Sequence, residues 1–356
     1  MKIKGMHLRR RFICRWGAEG RKRGSILMIS LWSLCFLTTF AVLLGYGVRQ
    51  KLSLVKRLDE RDQLRFLAQA GVKKAINEIR KKDKQKAFYA LKDPLSHDEK
   101  TFKEIPLAGG VCEVSYRDSD APLKTPGIRY GLIDEESKIN FNKASLEVLE
   151  RFFKNLLDFD EMEAQELAAR VVDWRDSDQE LSIPLGSAED NDYEDLSSPY
   201  EAKDADLEVL EELLLVKGMT REILDQMQDY ITVYGEGEVN INTASRLVLL
   251  ALGLNEDLAD KILDYRRGKD AESGTVDDHV FENPSEILPQ LSQAYPLGPS
   301  DVAQLSGVAG QSLVTNSQHF TIRSIAHLNQ GKQTAQIVSV VDRSGKILYW
   351  QEAWGR

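Results

Sequence analysis

Acidic side chains are concentrated in residues 173–212, which hold fifteen Asp and Glu residues against Arg175 and Lys203. Carboxylates are hard oxygen ligands, and Ca²⁺ takes about six to eight oxygens from flexible acidic loops. Two unpaired carboxylates 4 Å apart repel by roughly 4 kcal/mol at an effective dielectric constant of 20. The segment therefore has three interpretations: a calcium site, a solvated acidic surface, or a catalytic pair of carboxylates.

Two runs in this segment carry the candidate metal ligands. They are Asp173, Asp176, Asp178, Glu189, Asp190 and Asp192. The spacing is not that of an EF-hand, because Gln179 stands where that loop requires glycine. No nucleophile and base accompany the carboxylates, which disfavours catalysis. From the residues alone, the choice between a calcium site and a solvated surface stays open.

The rest of the chain lacks the common catalytic motifs: G-x-S-x-G, H-E-x-x-H, the P-loop and G-x-G-x-x-G are all absent. Three cysteines are too few and too scattered for a disulfide framework or a thiolate zinc site. The net charge is −9, of which the first 24 residues contribute +8 and the remainder −17. Residues 25–356, with this much negative charge, are expected to bind nucleic acid poorly. We therefore expect no enzyme and no nucleic-acid partner.

The N-terminal region predicts a membrane segment. Residues 25–48 are free of charged side chains, and as a helix they span about 36 Å, enough for a hydrocarbon core of about 30 Å. The basic flank predicts a cytoplasmic N-terminus. Arg21-Lys22-Arg23-Gly24 before this run is typical of a prepilin-type leader, which is cut between Gly24 and Ser25. A signal anchor and a cleaved secretory signal are the alternatives.

Periodicity divides the remaining chain into helical and extended parts. Apolar residues at helical spacing continue the first helix from about 25 to 82. Alternating patterns predict strands at 110–116, 127–133, 319–327, 334–341 and 346–350. Residues 134–306 read as helical. The pattern predicts an α+β fold with a helical insertion.

The insertion contains an internal repeat, because residues 138–145 match residues 238–245 at a distance of 100. Asn142 and Asn242 are candidate N-caps of the helices that follow. The repeat is similar to helix-hairpin-helix modules that bind DNA phosphate, but both hairpins lack the second glycine of that motif. We therefore expect a packing module.

Several motifs in order resemble a known family, the minor pseudopilin K of type II secretion systems (general secretion pathway protein K). The motifs are 22–24, 66–72, 134–142, 173–178, 188–193, 199–200, 213–219 and 239–244. The resemblance implies a pilin-like α+β fold. A long N-terminal transmembrane helix would pack on a small antiparallel sheet, and the large all-α insertion would comprise two SAM-like or helix-hairpin-helix-like subdomains.

The resemblance also implies a domain organisation. It is a leader (1–24), the transmembrane part of the long helix (25–48), the rest of that helix with the first strands (49–133), a first helical subdomain (134–236), a second helical subdomain (237–306), and strands completing the sheet (307–356). The family implies calcium in the first subdomain, with the six acidic residues above as candidate ligands.

The resemblance further implies a structural assembly subunit. A prepilin peptidase would cut before Ser25 and methylate the new amine. Most pilin-like proteins carry Glu at the fifth mature position, which here is Ile29. A subunit at the tip has no neighbour ahead of it, so it does not need this Glu, whose burial without a partner would be costly in a membrane.

The implied partners are the minor pseudopilins I and J, the inner-membrane assembly platform, and the secretin or an exported substrate. The implied location is the inner membrane, with a periplasmic soluble domain and a role in export across the outer membrane. Two alternatives remain at this stage: a membrane-anchored DNA-handling protein with helix-hairpin-helix motifs, and a minor pilin of a type IV pilus.

Overall fold

The computed structural model describes residues 22–81, 88–118, 127–194, 198–310, 312–329 and 333–355. The chain divides into two units, residues 1–60 and residues 61–356. Both hydrophobic cores belong to the second unit.

A single long helix, α1, runs from Lys22 to Lys81, close to the predicted bounds. Its N-terminal part is long and apolar enough to cross a membrane. Its apolar side chains are exposed from Ile26 to Leu58, as expected of residues that face lipid rather than a protein core. Residues 1–21 of the predicted leader lie outside the described residues.

The other α-helices of the described residues are short. They are α2 (Glu99–Phe102), α3 (Leu146–Leu157), α4 (Glu161–Arg175), α5 (Asp190–Glu194), α6 (Arg221–Met227), α7 (Arg246–Ala251), α8 (Glu256–Arg266), α9 (Ile287–Ala294) and α10 (Pro299–Ala309). Three 3₁₀ helices add to them, at Glu135–Ser137, Leu210–Leu215 and Pro284–Glu286.

The strands of the main sheet lie towards the two ends of the second unit, and short strand pairs lie between them. They are β1 (Ile105–Leu107), β2 (Gly110–Val114), β3 (Tyr116–Arg117), β4 (Ile128–Arg129), β5 (Ile133–Asp134), β6 (Ile139–Asn140), β7 (Ile231–Thr232), β8 (Val239–Asn240), β9 (Leu313–Val314), β10 (His319–Leu328), β11 (Thr334–Asp342) and β12 (Ile347–Gly355). The prediction of one strand over 127–133 is wrong. Its two ends pair with different partners, β4 with β3 and β5 with β10.

The main sheet has the order β1-β2-β10-β11-β12, with β5 beside β10, and its strand pairs are antiparallel. One face buries the C-terminal part of α1, where Leu64, Ala68, Val72 and Ala75 are at most 1 % exposed. These residues recur every three or four positions, so they form one helical stripe.

The helical insertion has a hydrophobic core of its own, running from Ile139 to Leu313. This single core spans both predicted helical subdomains, and their boundaries stay a prediction. The chain enters and leaves through two short parallel pairs, β6 with β7 and β8 with β9. The predicted fold class, a long apolar helix with a small antiparallel sheet and a helical insertion, is confirmed.

Candidate cation site and the joint between sheet and insertion

The acidic segment begins inside α4. Asp173 is fully buried in the last turns of this helix. Its carboxylate accepts hydrogen bonds from the amides of Ser182, at 2.9 Å, and Ala188, at 3.1 Å. Asp173 therefore joins residues 182 and 188 of the segment between α4 and α5 to the end of α4.

Three carboxylates around Asp173 have buried oxygens without a hydrogen-bond donor: Asp176 Oδ1, Asp204 Oδ1 and both carboxylate oxygens of Glu189. Burial, followed by repulsion from the neighbouring carboxylates, raises the pKa of Asp176 to about 6 and that of Glu189 to about 7. A buried carboxylate without a donor is costly unless it is protonated or compensated by a cation.

Each of the other three predicted ligands has a hydrogen-bond or ion-pair partner. Asp178 is exposed and accepts from the Glu180 amide at 2.9 Å. Asp190 accepts from the Ala202 amide at 2.8 Å. Asp192 pairs with Lys217 Nζ at 2.7 Å, and this hydrogen bond lowers its pKa.

An aromatic cluster connects the two helices on either side of the acidic loop. Trp174 packs edge-on against Tyr193 and Tyr200, with ring centroids 5.3 and 6.1 Å apart. Trp174 comes from α4 and Tyr193 from α5, so the cluster fixes the two ends of the acidic loop relative to each other.

The oxygen-rich donor set suits a hard cation such as Ca²⁺ in its chemistry. The side chains do not form a closed cage, however. Across the described ranges, no group of three or more His, Cys, Asp or Glu side chains is arranged to hold a metal ion. Asp204, which the sequence analysis did not name, belongs with Asp176 and Glu189, whereas Asp178, Asp190 and Asp192 do not contribute free oxygens of this kind.

The internal repeat is a structural duplication. The Asn142 side chain donates to the carbonyls of Leu207 and Val233 and accepts from the Leu207 amide. At the matching position of the second copy, the Asn242 side chain donates to the carbonyls of Phe281 and Thr315 and accepts from the Phe281 amide. The asparagine joins the start of its repeat to residues 65 and 91 positions further on in the first copy, and 39 and 73 positions further on in the second.

The prediction that these asparagines are N-caps is wrong. The caps are Ser145 for α3 and Ser245 for α7, each accepting from the amide three residues on. Two further residues of turn separate each asparagine from its cap. The amide side chain, with donor and acceptor on one plane, is used for crosslinking instead.

Three consecutive acids join the insertion to the sheet. Asp134 is buried and accepts from Ser317 Oγ, Thr243 Oγ1 and Asn240 Nδ2. Burial and the nearby Glu136 raise its pKa to about 8.

The other two acids bind partners on both sides of the joint. Glu135 forms a buried ion pair with Lys138 at 2.6 Å and accepts from Thr321 of β10. Glu136 contacts His319 Nδ1 at 2.7 Å.

This joint predicts a pH dependence of stability. The hydrogen bond to Glu136 raises the pKa of His319, so its stabilisation is complete below the unfolded pKa of about 6.5 and is lost as pH rises through the higher folded value. Deprotonation of buried Asp134 acts in the same direction. Buried Asp134 stays protonated up to its folded pKa of about 8, so we expect the free energy of unfolding to fall by roughly 3 kcal/mol from pH 6 to pH 9, measured by denaturant titration. The variant His319→Gln should make this fall smaller, and an unchanged fall in it would contradict the contribution of His319.

The predicted processing and assembly residues lie on α1. Ser25 and Ile29 are exposed in the first turns that the structure describes with side chains, and Ile29 is 65 % exposed. Gly24 is helical in its backbone. No carboxylate lies between Ser25 and Val48, so this part of the helix carries no acid for a neighbouring amine.

A long apolar helix whose C-terminal part packs on an antiparallel sheet is a pilin-like fold. Residues 131–236 match the family model described as Type II secretion system (T2SS), protein K. The chain is similar in fold to a chain in the crystal structure of the GspK-GspI-GspJ complex from the enterotoxigenic Escherichia coli Type 2 Secretion System. The TM-score is 0.63 at 19 % identity, covering 84 % of this chain and 99 % of that chain. No curated protein matches the chain by sequence.

The resemblance to type II secretion protein K is thereby confirmed. The family match falls on the segment that holds the acidic loop and the first copy of the repeat, and the similarity in fold extends over most of the chain.

Proposed function

We propose that this protein is a minor pseudopilin of a type II secretion system that joins counterparts of GspI and GspJ at the tip of the pseudopilus. The similarity in fold to a chain of the GspK-GspI-GspJ complex carries the proposal. The protein K domain at 131–236 supports it independently. The role is structural: the subunit starts pseudopilus assembly and supports export across the outer membrane.

Ile29 favours the tip position within such an assembly. Counted from Ser25 it is the fifth residue, where an acid would pair with the amine of a neighbouring subunit. An apolar side chain makes no such pair and costs nothing in lipid. The helical insertion is too bulky to stack within a filament, so it too favours the end of the filament.

The N-terminal region supports processing and membrane insertion of the kind that pilin-like subunits undergo. A prepilin peptidase cuts between Gly24 and Ser25 and methylates the new amine. The helix then stays in the inner membrane, where the assembly platform engages it, and the second unit lies in the periplasm. There the subunit meets the secretin or the exported protein.

Co-purification tests this function. The full chain with a C-terminal tag is expressed in its host together with the I and J pseudopilins of that host and is extracted in mild detergent. We expect both pseudopilins to be retained. Loss of both, with retention of DNA that falls steeply with salt, would contradict the proposal and favour a DNA-handling protein.

Calcium binding in the acidic segment belongs to the same proposal. Glu189, Asp176 and Asp204 would hold the ion, with Asp173 fixing the loop around it. The ion would supply positive charge that offsets the repulsion between these carboxylates, so the loop would be ordered over the aromatic cluster of Trp174. Its contribution is to stability and not to a reaction.

Calcium should therefore raise the thermal unfolding midpoint of the chelator-treated protein. At a concentration about 100 times the dissociation constant, the stabilisation is about 2.7 kcal/mol, or a shift on the order of 5 °C or more. Differential scanning fluorimetry in detergent measures it. Glu189→Gln should lose most of the shift, whereas Asp192→Asn should keep it because Asp192 is paired with Lys217. Equal shifts in all three proteins, or none, would contradict this site.

A further inference from the structure

The two edges of the main sheet differ in length and composition. At one edge, β1 has three residues, and the central one is Pro106. At the other edge, β12 has nine residues with no proline and no lysine. Short length, proline and charged side chains are means by which soluble proteins keep an edge strand from pairing with another chain. β1 has two of these protections, whereas β12 has one charged residue, Glu352, and no other.

The outer side of β12 offers a run of free backbone hydrogen-bonding groups. Residues 349–355 pair with β11 in unbroken register, and the one irregularity of this strand pair, between Val340 and Val341, lies at the start of the run. Within the ranges that the structure describes, the backbone of β12 is hydrogen-bonded to β11 only. A run of this length extends over about 23 Å, and every second residue directs its N–H and C=O away from β11.

Aromatic side chains lie exposed along the same edge. Trp350 and Trp354 are 37 and 39 % exposed. They lie on the face of the sheet on which α1 packs, because Arg61 of α1 stacks on the Trp354 ring at 4.4 Å and Trp350 Nε1 donates to Glu352. Glu352 in turn pairs with Arg65 of α1 at 2.9 Å, so it adds no unpaired charge to the edge. A strand added here would place every second side chain beside the two indole rings.

The pattern of donors and acceptors identifies the kind of partner. N–H and C=O groups that alternate along an extended line are matched by a second polypeptide backbone, which is how sheet edges recognise peptides. The two indole rings add a requirement for apolar side chains four residues apart on one face of the added strand. β-branched side chains suit these positions, since they pair well with aromatic residues across strands.

A second copy of this chain is the less suitable partner. Two β12 strands paired antiparallel would be related by a two-fold axis perpendicular to the sheet. Because α1 packs on that sheet, the axis would point the two α1 helices in opposite directions. Chains anchored in one membrane by this helix cannot adopt such an arrangement. Of the proposed function, this step uses only the membrane anchoring of α1.

We propose that β12 binds an extended segment of a different polypeptide, which adds a strand to the free edge of the main sheet. The backbone of the segment pairs with residues 349–355. Its alternate apolar side chains cover Trp350 and Trp354, and its other side chains lie on the face of Gln351, where polar groups are tolerated because Gln351 is exposed.

Fluorescence anisotropy of a labelled peptide with the full chain in detergent micelles tests the proposal. The probe has nine residues, Glu-Thr-Val-Thr-Val-Thr-Val-Thr-Lys, and its fully N-methylated form has the same side chains but cannot donate backbone hydrogen bonds. We expect saturable binding of the first peptide and at least tenfold weaker binding of the second. Equal binding of the two, or no binding of the first, would overturn strand addition. Self-association of the chain that the first peptide reverses, measured by sedimentation velocity, would overturn the different polypeptide in favour of a second copy.

Substitutions on the two edges locate the binding. The double variant Trp350→Thr, Trp354→Thr keeps strand-forming residues but removes both rings, and it should weaken the peptide at least tenfold. Leu107→Thr on β1 is the matched control, because Leu107 is also 37 % exposed on an edge strand, and it should change the affinity less than about twofold. Unchanged affinity in the double variant, with an unchanged unfolding midpoint, would overturn the site.

A disulfide trap keeps the test decisive if the double variant does not fold. Gln351→Cys places an exposed thiol in the middle of the run, in a chain whose Cys14 and Cys35 are replaced by serine, and the peptide carries cysteine in place of one threonine. Opposite residues of neighbouring antiparallel strands have Cα atoms about 4.5–5.5 Å apart, within reach of a disulfide. Under a glutathione redox buffer we expect the mixed disulfide with Gln351→Cys and at least tenfold less with Leu107→Cys. Equal yields at the two edges would overturn the assignment to β12.

Discussion

The substitution Asn242→Ala is expected to cost about 3 kcal/mol or more of the free energy of unfolding. The Asn242 side chain is 3 % exposed and bonds both the amide and the carbonyl of Phe281 at 2.9 Å. Alanine leaves both backbone groups buried without a partner, and each such group costs about 1–3 kcal/mol. Denaturant unfolding of the chain in detergent, followed by tryptophan fluorescence, measures the loss.

The equivalent residue of the first copy provides a matched control. Asn142 makes the same three kinds of bond but is partly exposed, so water replaces some of its bonds when it is lost. Asn142→Ala should cost about 1–2 kcal/mol. A cost for Asn242→Ala no larger than that for Asn142→Ala would contradict the crosslinking role of the buried amide.

The substitution Gly71→Ala is expected to destabilise the packing of α1 on the sheet by about 1–3 kcal/mol. A β-carbon at Gly71 would lie 2.1 Å from Ser324 Oγ, which is far inside contact distance. Ser324 is fully buried on β10, so relief of the clash requires a shift within a packed interior. Helices intrinsically favour alanine over glycine by about 1 kcal/mol, so without a clash the substitution would stabilise the protein. A net loss of stability would therefore indicate the clash.

A second substitution identifies the cause. Ser324→Ala removes the clashing oxygen and leaves its β-carbon 3.1 Å from the new methyl group. The double variant should therefore recover most of the stability lost in Gly71→Ala. Gly307→Ala on α10, where no atom lies within 4 Å, should be neutral or stabilising. A double variant as unstable as Gly71→Ala alone would exclude this contact as the cause.

The long helices and strands were predictable from the sequence because each is long enough to repeat its pattern of apolar residues several times. The ten-residue strand β10 and the stripe through Leu64 and Val72 repeat often enough to fix both element type and buried face. The two-residue strands did not, because Ile128 and Ile133 lie in one apolar run whose ends pair with different strands. Their partners are determined by tertiary contacts that a local pattern does not contain.

The acidic segment was visible in the sequence, but the hydrogen-bond partners of its carboxylates were not. Charge composition located the acidic run, and yet it could not show that Lys217 neutralises Asp192 or that the Ala202 amide occupies Asp190. Both partners come from elsewhere in the chain and depend on how the loop folds back. Asp204 joins the carboxylates that have donor-free buried oxygens for the same reason, since only the fold brings it towards Glu189.

In the repeat, too, the sequence showed where the residues are but not which partners they bind. Its two copies were visible in the sequence, and both asparagines proved important. Their role differed from the prediction because the partners of Asn242, Phe281 and Thr315, lie 39 and 73 residues away. Capping is a local role, and Ser145 and Ser245 provide it.

The N-terminal sequence and intact mass of the protein extracted from membranes of its host test the pseudopilin assignment most directly. We expect a chain that begins at Ser25 and carries one added methyl group on its amine. A chain that retains Arg23 and Gly24 would be an uncleaved membrane anchor and would contradict the assignment.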